Sequence, residues 1–277
     1  MTLGVRMMRE REKLTPERKR YRYFVGEEGK LTYLRNPAGV PVIIDVFRAS
    51  STIVAALANG AEAVYPVENV SEARLLARRL DAILVGERRG VKIRDFDFGN
   101  SPAEMLKGNI KNRKIVLTTT IGTKLMVDGG VIASTLNVSR VVDSLEDKHV
   151  DFLIGGMGHN LTCVDDLALA KVIEKMLIGS DYSEWLGVLR DFGPSEYLHG
   201  LGYGDDVELI CNGLDRFPIL PVLRDGKITK SEANSLFVRR LLRIKVDTLS
   251  CSFCRSPLQS LNFMRYERGY KGRGEHA

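Results

Sequence analysis

The sequence predicts an α/β fold, in which helices cover a mostly parallel β-sheet. Three observations lead to this prediction: short apolar runs recur along the chain, most of them end in polar or glycine-containing loops, and helix-like segments lie between them. Strands that alternate with helices form parallel sheets, because each helix returns the chain to the edge where the next strand begins. We expect two α/β lobes with a boundary near residue 140, and a functional site between them or at the carboxyl ends of the strands.

The predicted strands are apolar runs with the length and composition of buried strands. They span residues 40–45, 63–67, 82–85, 114–117, 131–133 and 151–154. A later apolar segment, residues 217–223, contains two prolines and precedes Asp225 and Gly226. Because proline cannot donate to the hydrogen-bond ladder, this segment is predicted to be a hairpin or an edge strand rather than a central strand.

Helices are predicted between the strands, over residues 50–59, 72–80 and 166–177. Gly60 can end the first helix and Ser71 can cap the second. Thr162 and Asp165 have the spacing of a capping box before the third. Residues 231–246 have the pattern of a basic amphipathic helix.

Charge divides the chain into three parts. The 277 residues carry a net charge of +6, to which residues 1–23 contribute about +5 and residues 234–277 about +6. We therefore predict basic extensions at both ends of a core that spans residues 24–233. Neither extension has the signature of an RNA-recognition or helix-turn-helix module, so nucleic-acid binding is not favoured. Docking of these extensions in a homo-oligomer stays open.

The apolar runs and the cysteines bear on localisation. No apolar run is long enough to span a bilayer, and the first residues lack the apolar region of a secretory signal. Cys251 and Cys254 form one CxxC motif, but a zinc site needs four ligands and no second pair lies nearby, so two structural thiols are the favoured interpretation. Low cysteine usage is typical of the reducing cytoplasm, where we expect the protein to act.

Polar side chains follow several of the predicted strands. Asp45, Arg48, Ser50 and Ser51 follow the first strand, and the other groups are Glu87 with Arg88, Thr118 to Thr120, and the glycine-rich loop 155–158. Because the carboxyl ends of parallel strands meet at one edge of the sheet, these groups are predicted to lie together. The helices that begin there add amide donors that suit an anion.

The residue types at this edge indicate a phosphate site with a metal ion. Arg48 and Arg88 can each bind a phosphoryl or sulfonate group through two hydrogen bonds. Asp45, Glu87 and Asp97 would repel such an anion unless a cation lay between them, and oxygen ligands favour Mg²⁺. Each feature also has a simpler interpretation, such as a helix cap at Asp45, a solvated charge at Arg88, a strand end at the threonines or a turn at residues 100–102.

Five segments together resemble the 2-phosphosulfolactate phosphatase family in order and spacing. They are residues 45–52, 86–88, 96–102, 117–120 and 136–137. The resemblance extends from about Pro41 to about Gly226 and includes the stretch 201–207. It implies Mg²⁺-dependent hydrolysis of a small anionic phosphate ester, 2-phospho-3-sulfolactate, to 3-sulfolactate and phosphate, a step of coenzyme M biosynthesis.

The resemblance also implies roles for individual residues. The candidate catalytic residues are Asp45, Arg48, Glu87 and Arg88. The candidate substrate-binding residues are Ser50, Ser51, Asn100, Ser101, Thr118, Thr119 and Thr120. The candidate metal ligands are Asp45, Glu87, Asp97 and Asp165. In the expected mechanism a water activated by the metal attacks the phosphoryl group in line.

Alternatives to this mechanism and function stay open. A covalent aspartyl-phosphate at Asp45 is less favoured, because Phe47 stands where a second aspartate would be expected. The same chemistry could serve a different small phosphoester, and a non-catalytic ligand-binding or assembly homologue is a third hypothesis. Two departures from the family pattern bear on the substrate: Ile121 replaces an asparagine, and Asp165 replaces a glutamate. We expect Ile121 to mark a changed pocket.

Overall fold

The computed structural model of the chain describes residues 20–157, 161–191 and 194–231. The C-terminal extension with its CxxC pair, all but the first residue of the helix predicted over residues 231–246, residue 158 of the glycine-rich loop and the first 19 residues of the N-terminal extension lie outside the described residues. The first strand begins at Tyr21, so the last residues of the predicted N-terminal extension belong to the sheet. The division of the chain into a core and two extensions stays a prediction.

The described residues alternate between strands and helices. The strands are β1 (Tyr21–Val25), β2 (Val40–Ile44), β3 (Ala63–Pro66), β4 (Ile83–Arg88), β5 (Val91–Lys92), β6 (Lys114–Thr118), β7 (Val131–Ala133), β8 (Val150–Ile154), β9 (Gly156–Met157), β10 (Leu161–Thr162), β11 (Pro221–Arg224) and β12 (Lys227–Lys230). The helices are α1 (Gly26–Arg35), α2 (Ala49–Ala58), α3 (Val70–Leu80), α4 (Pro102–Lys107), α5 (Val138–Leu145), α6 (Val164–Leu177), α7 (Ser183–Asp191), α8 (Ser195–Gly200) and α9 (Gly204–Asn212). Short 3₁₀ turns occupy Gly122–Leu125 and Thr135–Asn137.

Ten strands form one mixed sheet in the order β1-β8-β2-β7-β11-β12-β3-β6-β4-β5. The strands β1, β8, β2 and β7 are mutually parallel, as are β3, β6 and β4. The antiparallel hairpin β11–β12 joins these two groups. The predicted α/β class with a mostly parallel sheet is therefore confirmed. The expected lobe boundary near residue 140 is not confirmed, because β8 lies between β1 and β2 in the same sheet.

The predicted hairpin is present as β11 and β12, but the expectation that the proline-containing segment 217–223 would not form a central strand is wrong. The hairpin lies in the middle of the sheet, where Val222 of β11 pairs with Val131 of β7, and Ile228 of β12 pairs with Val64 of β3. A central position is tolerated because Pro221 is the first residue of its strand and the other proline precedes it. The ladder to β7 is one residue pair long, so it requires few amide donors.

The helix α2 is the most deeply buried helix segment near the carboxyl ends of the strands. All residues from Ala49 to Leu57 are buried, and small side chains fill its first turn. The apolar side chains Ile53 and Leu57 pack into the core cluster formed with strands of both parallel groups. Because α2 is fixed on all sides, its first turn can hold polar groups at the carboxyl edge of the sheet in a defined position.

The starts of α4 and α6 differ in how they are capped. Ser101 caps α4 by accepting a hydrogen bond from the Glu104 amide, and Pro102 occupies the first turn. The predicted capping box before α6 is wrong, since the N-cap residue is Cys163 and its side chain makes no capping hydrogen bond. The carboxylates of Asp165 and Asp166 lie buried in the first turn instead.

Candidate active site

Asp45 stands at the point where the loops of the two parallel groups meet. It follows β2, and its carboxylate is 7% exposed. Its Oδ1 atom accepts a hydrogen bond of 3.2 Å from the Ala49 amide at the start of α2. Gly122, which follows β6, packs so closely that a Cβ atom there would lie 2.5 Å from Asp45 Oδ2. Only glycine at position 122 allows the two loops to approach in this way.

Three further carboxylates lie around Asp45. Burial, together with the charges of Glu87 and Asp165, raises the pKa of Asp45 to about 7, against the opposing effects of the Ala49 amide and Arg48. Burial likewise raises the pKa of Asp165 to about 6. Burial, then the charges of Asp165 and Asp45, raise the pKa of Asp166. Burial and mutual repulsion disfavour the ionised forms of these carboxylates, which a positive charge within the group would stabilise.

Asp166 and Glu87 use their oxygens to hold the surrounding loops. Asp166 accepts hydrogen bonds from the amides of Val46 (2.7 Å) and Gly155 (3.0 Å), which tie the ends of β2 and β8 together. Glu87 accepts from the Thr120 amide (2.6 Å), the Thr120 hydroxyl (2.9 Å) and the Gly90 amide (2.7 Å). Of the predicted metal ligands, Glu87 therefore has the most hydrogen bonds within the protein, three against the single one that Asp45 accepts from the Ala49 amide.

Arg48 lies beside this acidic group and is 2% exposed. Its Nη1 atom donates to Asp206 Oδ2 over 2.9 Å, and its Nη2 atom donates to the Gly90 carbonyl over 2.7 Å. The guanidinium also stacks 3.9 Å above the centroid of the Tyr203 ring. A fixed, buried guanidinium beside these carboxylates has the planar set of donors that can bind a phosphoryl or sulfonate group.

Arg88 points to different partners. Its guanidinium donates to the carbonyls of Glu87 (2.7 Å) and Glu68 (2.8 Å) and to the Thr118 hydroxyl (2.9 Å). These bonds connect β4 to β6 and to Glu68 in the loop after β3. The geometry thus gives Arg88 a role in holding the strand ends together, while Arg48 lies next to Asp45.

Most of the hydroxyl groups predicted to bind substrate are bonded within the protein. Ser50 accepts from the Asp45 amide, Ser51 donates to the Val46 carbonyl, and Thr119 exchanges hydrogen bonds with Thr123. These bonds shape the loops around Asp45. Thr118 and Thr120 bind Arg88 and Glu87 as described, and Ser101 donates to Asp206 over 2.6 Å.

Asn100 differs from these groups. Its side chain is buried, and its Oδ1 atom has no hydrogen-bond partner among the described residues. A buried polar atom without a partner costs free energy unless a ligand or water meets it. Asn100 can therefore accept a hydrogen bond from a ligand, whereas the hydroxyl groups already form hydrogen bonds within the loops.

Asp97 is not brought together with the other predicted metal ligands. Its exposed carboxylate accepts a hydrogen bond of 2.7 Å from the Leu84 amide. The segment that contains Asp97 runs alongside β4, so Asp97 lies level with Leu84, three residues before Glu87. At the rise of an extended strand this separation is about 10 Å. The position of Asp97 follows from the pairing of this segment with β4, which the sequence pattern did not reveal.

Ile121 contacts the apolar core. Its half-buried side chain packs against the apolar cluster that includes Ile53, Leu117 and Leu125. An apolar residue at this position is explained by that packing, and the expected changed pocket stays a prediction. The other departure, Asp165, lies close enough to Asp45 to raise its pKa despite its shorter side chain.

The residues present fit a magnesium ion in their chemistry. Among the described residues, no group of three or more His, Cys, Asp or Glu side chains is arranged to hold a metal ion. Mg²⁺, however, keeps several waters and is commonly bound through one or two carboxylates together with the phosphate of a substrate. Asp45 and Asp165 supply two buried carboxylates with raised pKa values, which match that requirement.

Sequence reasoning missed Asp206 and Tyr203 as members of the site. Both belong to the stretch 201–207, which contributed to the family resemblance, but no role followed from it. Two adjacent aspartates at the start of a helix are common, since they interact favourably with the helix dipole. The signal that could have marked Asp206 is the aromatic residue three positions before it, next to two glycines.

Comparison with known proteins shows the family to which the chain belongs. The family model for 2-phosphosulpholactate phosphatase matches residues 28–226. A probable 2-phosphosulfolactate phosphatase from Thermotoga petrophila is 36% identical over 67% of this chain and 89% of its own length. Proteins of the same description from Thermotoga maritima and Symbiobacterium thermophilum are 35% and 34% identical, over 67% and 70% of this chain and 89% and 94% of their own lengths. Among the described residues, no helix is long and apolar enough to cross a membrane. The resemblance predicted from the motifs is confirmed, and the chain belongs to the 2-phosphosulfolactate phosphatase family of phosphoric monoester hydrolases.

Proposed function

We propose that this chain hydrolyses 2-phospho-3-sulfolactate to 3-sulfolactate and phosphate, with Mg²⁺ as cofactor. The observation that carries the proposal is the buried group of carboxylates around Asp45 beside the buried guanidinium of Arg48. Carboxylates and an arginine in one water-poor site suit a dianionic phosphate ester only if a cation is bound as well. The identity of the substrate is taken from the names of the relatives.

In this proposal the residues around Asp45 have separate roles. Asp45 and Asp165 would hold the metal ion, and Glu87 would keep Thr120 and Gly90 in place around it. When bound, Mg²⁺ supplies charge neutralisation at the phosphoryl group and a lowered pKa for a nearby water. Arg48 binds an anionic group of the substrate, and the first turn of α2 adds the positive end of a helix dipole.

Two anionic groups on the substrate distinguish it from simpler phosphate esters. The sulfonate accepts hydrogen bonds only, so it needs donors such as the amide nitrogen of Asn100, while the unpartnered Oδ1 atom of Asn100 can accept from a water or a hydroxyl group. Losing a group that a polar site is built to bind is costly, since buried donors are then left unpaired. A phosphate ester without the sulfonate should therefore be a poor substrate.

A substrate panel tests the proposed function. Phosphate release is measured with 2-phospho-3-sulfolactate, with 2-phospholactate, which lacks the sulfonate, and with a neutral-alcohol phosphate such as glycerol phosphate. We expect kcat/KM for phosphosulfolactate to exceed the others by about 10²-fold or more, the effect of leaving buried polar groups unpaired. Equal or better turnover of the other esters would contradict the assignment of substrate, and no turnover of any ester would contradict catalysis.

A further inference from the structure

The guanidinium of Arg48 is constrained from three directions. Asp206 bonds to Nη1, the Gly90 carbonyl bonds to Nη2, and the Tyr203 ring lies 3.9 Å from the guanidinium carbon. Two directed bonds define the plane of the fork and the ring covers one face of it, so rotation about the last side-chain torsions is restricted. No other hydrogen bond of the Arg48 guanidinium is seen within the described ranges. A guanidinium carries five N–H donors, so three are left for a ligand.

The carboxylate of Asp206 is oriented by further hydrogen bonds besides its contact with Arg48. Asp206 is 1% exposed, and its Oδ1 atom accepts hydrogen bonds from the Ser101 hydroxyl (2.6 Å) and the Ala103 amide (2.9 Å) at the start of α4. The other oxygen, Oδ2, is thereby directed at Arg48. The contact therefore depends on α9, which carries Asp206, and on α4, which orients it.

The same contacts connect Arg48 to the acidic group. The Gly90 carbonyl accepts a hydrogen bond from Arg48, and the Gly90 amide donates one to Glu87. Glu87 in turn holds Thr120 through both the amide and the hydroxyl. A displacement of Arg48 would therefore also shift Gly90 and, through it, the loop that carries Glu87 close to Asp45.

We propose that Asp206 is a positioning residue for the reaction: its carboxylate, held by α4, fixes the orientation in which Arg48 meets the anionic group of the substrate. Tyr203 assists by covering one face of the guanidinium. This inference rests on the proposed function for the identity of the substrate. It goes beyond that function because Asp206 acts through Arg48 and touches neither substrate nor metal.

The neighbouring residue provides a matched control. Asp205 occupies the same helical turn, but its side chain is 72% exposed and pairs with Lys107 on the surface. Exposed ion pairs contribute little to stability. Asp205→Asn and Asp206→Asn therefore make the same chemical change at adjacent positions, of which one contacts Arg48. An asparagine at 206 can still accept from Ser101 and Ala103, but its amide nitrogen cannot accept from the guanidinium.

The first test measures kcat and KM for 2-phospho-3-sulfolactate in these two variants, with the melting temperature as a check of folding. We expect Asp206→Asn to lower kcat about 10- to 100-fold, a loss on the scale of one misplaced transition-state contact. Asp205→Asn should stay within about twofold of the parent enzyme, as for other exposed pairs. A kcat for Asp206→Asn within twofold of the parent would overturn the inference while leaving the proposed function intact.

A double-variant comparison separates positioning from a general structural defect. If Asp206 acts through Arg48, adding Asp206→Asn to Arg48→Lys should lower kcat little further, because the guanidinium to be positioned is already gone. Losses that multiply would show that Asp206 acts independently of Arg48 and would overturn the inference. If Asp206→Asn does not fold, Tyr203→Leu is used in the same comparison, with an expected loss in kcat of about fivefold, the scale of a cation–π contact to a ring that is only half-buried.

Binding of inorganic phosphate keeps the inference testable if phosphosulfolactate is not a substrate. In calorimetric titrations with Mg²⁺ present, Asp206→Asn should weaken phosphate binding about tenfold, the effect of a lost charge-assisted orientation, and Asp205→Asn should not. Failure of turnover with this difference retained would count against the proposed substrate and for the role of Asp206. Equal phosphate affinity in both variants would overturn the role of Asp206.

Discussion

Replacement of Asp45 by asparagine is expected to lower kcat by about 10³-fold or more, which corresponds to about 4 kcal/mol of activation free energy. Asparagine has the same shape and can still accept the hydrogen bond from the Ala49 amide. It lacks the negative charge that would hold a cation in the buried group formed with Asp165 and Glu87. The chemistry should therefore be lost without a change in the loop.

The Asp45→Asn protein should be at least as stable as the parent protein, although it is less active. Burial raises the pKa of Asp45 to about 7, so in the metal-free protein the ionised carboxylate is less favourable in the folded state than in the unfolded state. Above the unfolded-state pKa, a neutral side chain at position 45 removes that cost. The metal-free Asp45→Asn protein should thus melt at the same temperature as the parent or higher when measured near neutral pH.

Asp97→Asn is the matched control for Asp45→Asn. The sequence placed both aspartates among the metal ligands, but the structure bonds Asp97 to the Leu84 amide, and asparagine can accept that bond as well. Its kcat should stay within about twofold of the parent, as for most surface substitutions. A folded Asp45→Asn protein with full activity, or an Asp97→Asn protein with as large a loss, would contradict the geometry of the site.

Replacement of Arg48 by lysine is expected to lower kcat/KM about 10²-fold, since one preorganised donor in an anion site is worth that much. Lysine keeps the positive charge, but a single ammonium group cannot contact Asp206, the Gly90 carbonyl and a substrate oxygen with the geometry of a planar fork. The substitution therefore tests orientation rather than charge. Steady-state kinetics with 2-phospho-3-sulfolactate provide the measurement.

Arg88→Lys is the corresponding control. The Arg88 guanidinium is bonded to the Glu87 and Glu68 carbonyls and to Thr118, so its replacement should lower the melting temperature more than the turnover number. The loss in kcat should be at most about fivefold, as for a substitution that weakens bonds outside the reacting groups. A larger kinetic effect at position 88 than at position 48 would reverse the roles that the structure gives the two arginines.

The fold could be predicted from the sequence where it depends on local pattern. The apolar runs of β2, β4, β6 and β8 and the helices between them follow from hydrophobicity and from glycine or serine at the helix ends. The place of the hairpin β11–β12 could not be predicted. It pairs with β7 and β3, which lie about ninety and more than one hundred and sixty residues earlier in the chain, and nothing in residues 217–230 encodes those partners.

The candidate site was predictable in its location but less so in the role of each group. Strand ends followed by polar residues located Asp45, Arg48 and Glu87 together at one edge. Whether a hydroxyl group faces a ligand or a loop depends on rotamers and neighbours, and so Ser50 and Ser51 proved to be bonded to the backbone. Asp205 and Asp206 are likewise indistinguishable in sequence, because only the packing of α9 on α4 exposes one and buries the other.

The central claim is that the carboxylates around Asp45 act through a bound Mg²⁺ ion to hydrolyse phosphosulfolactate. The most direct measurement is phosphate release from 2-phospho-3-sulfolactate by protein that has been stripped with EDTA, before and after excess Mg²⁺ is added. We expect release to fall to the uncatalysed rate after stripping and to return fully with Mg²⁺ in the parent protein, and not to return in Asp45→Asn. Full turnover in excess EDTA, or restoration by Mg²⁺ in Asp45→Asn to the parent rate, would contradict the claim.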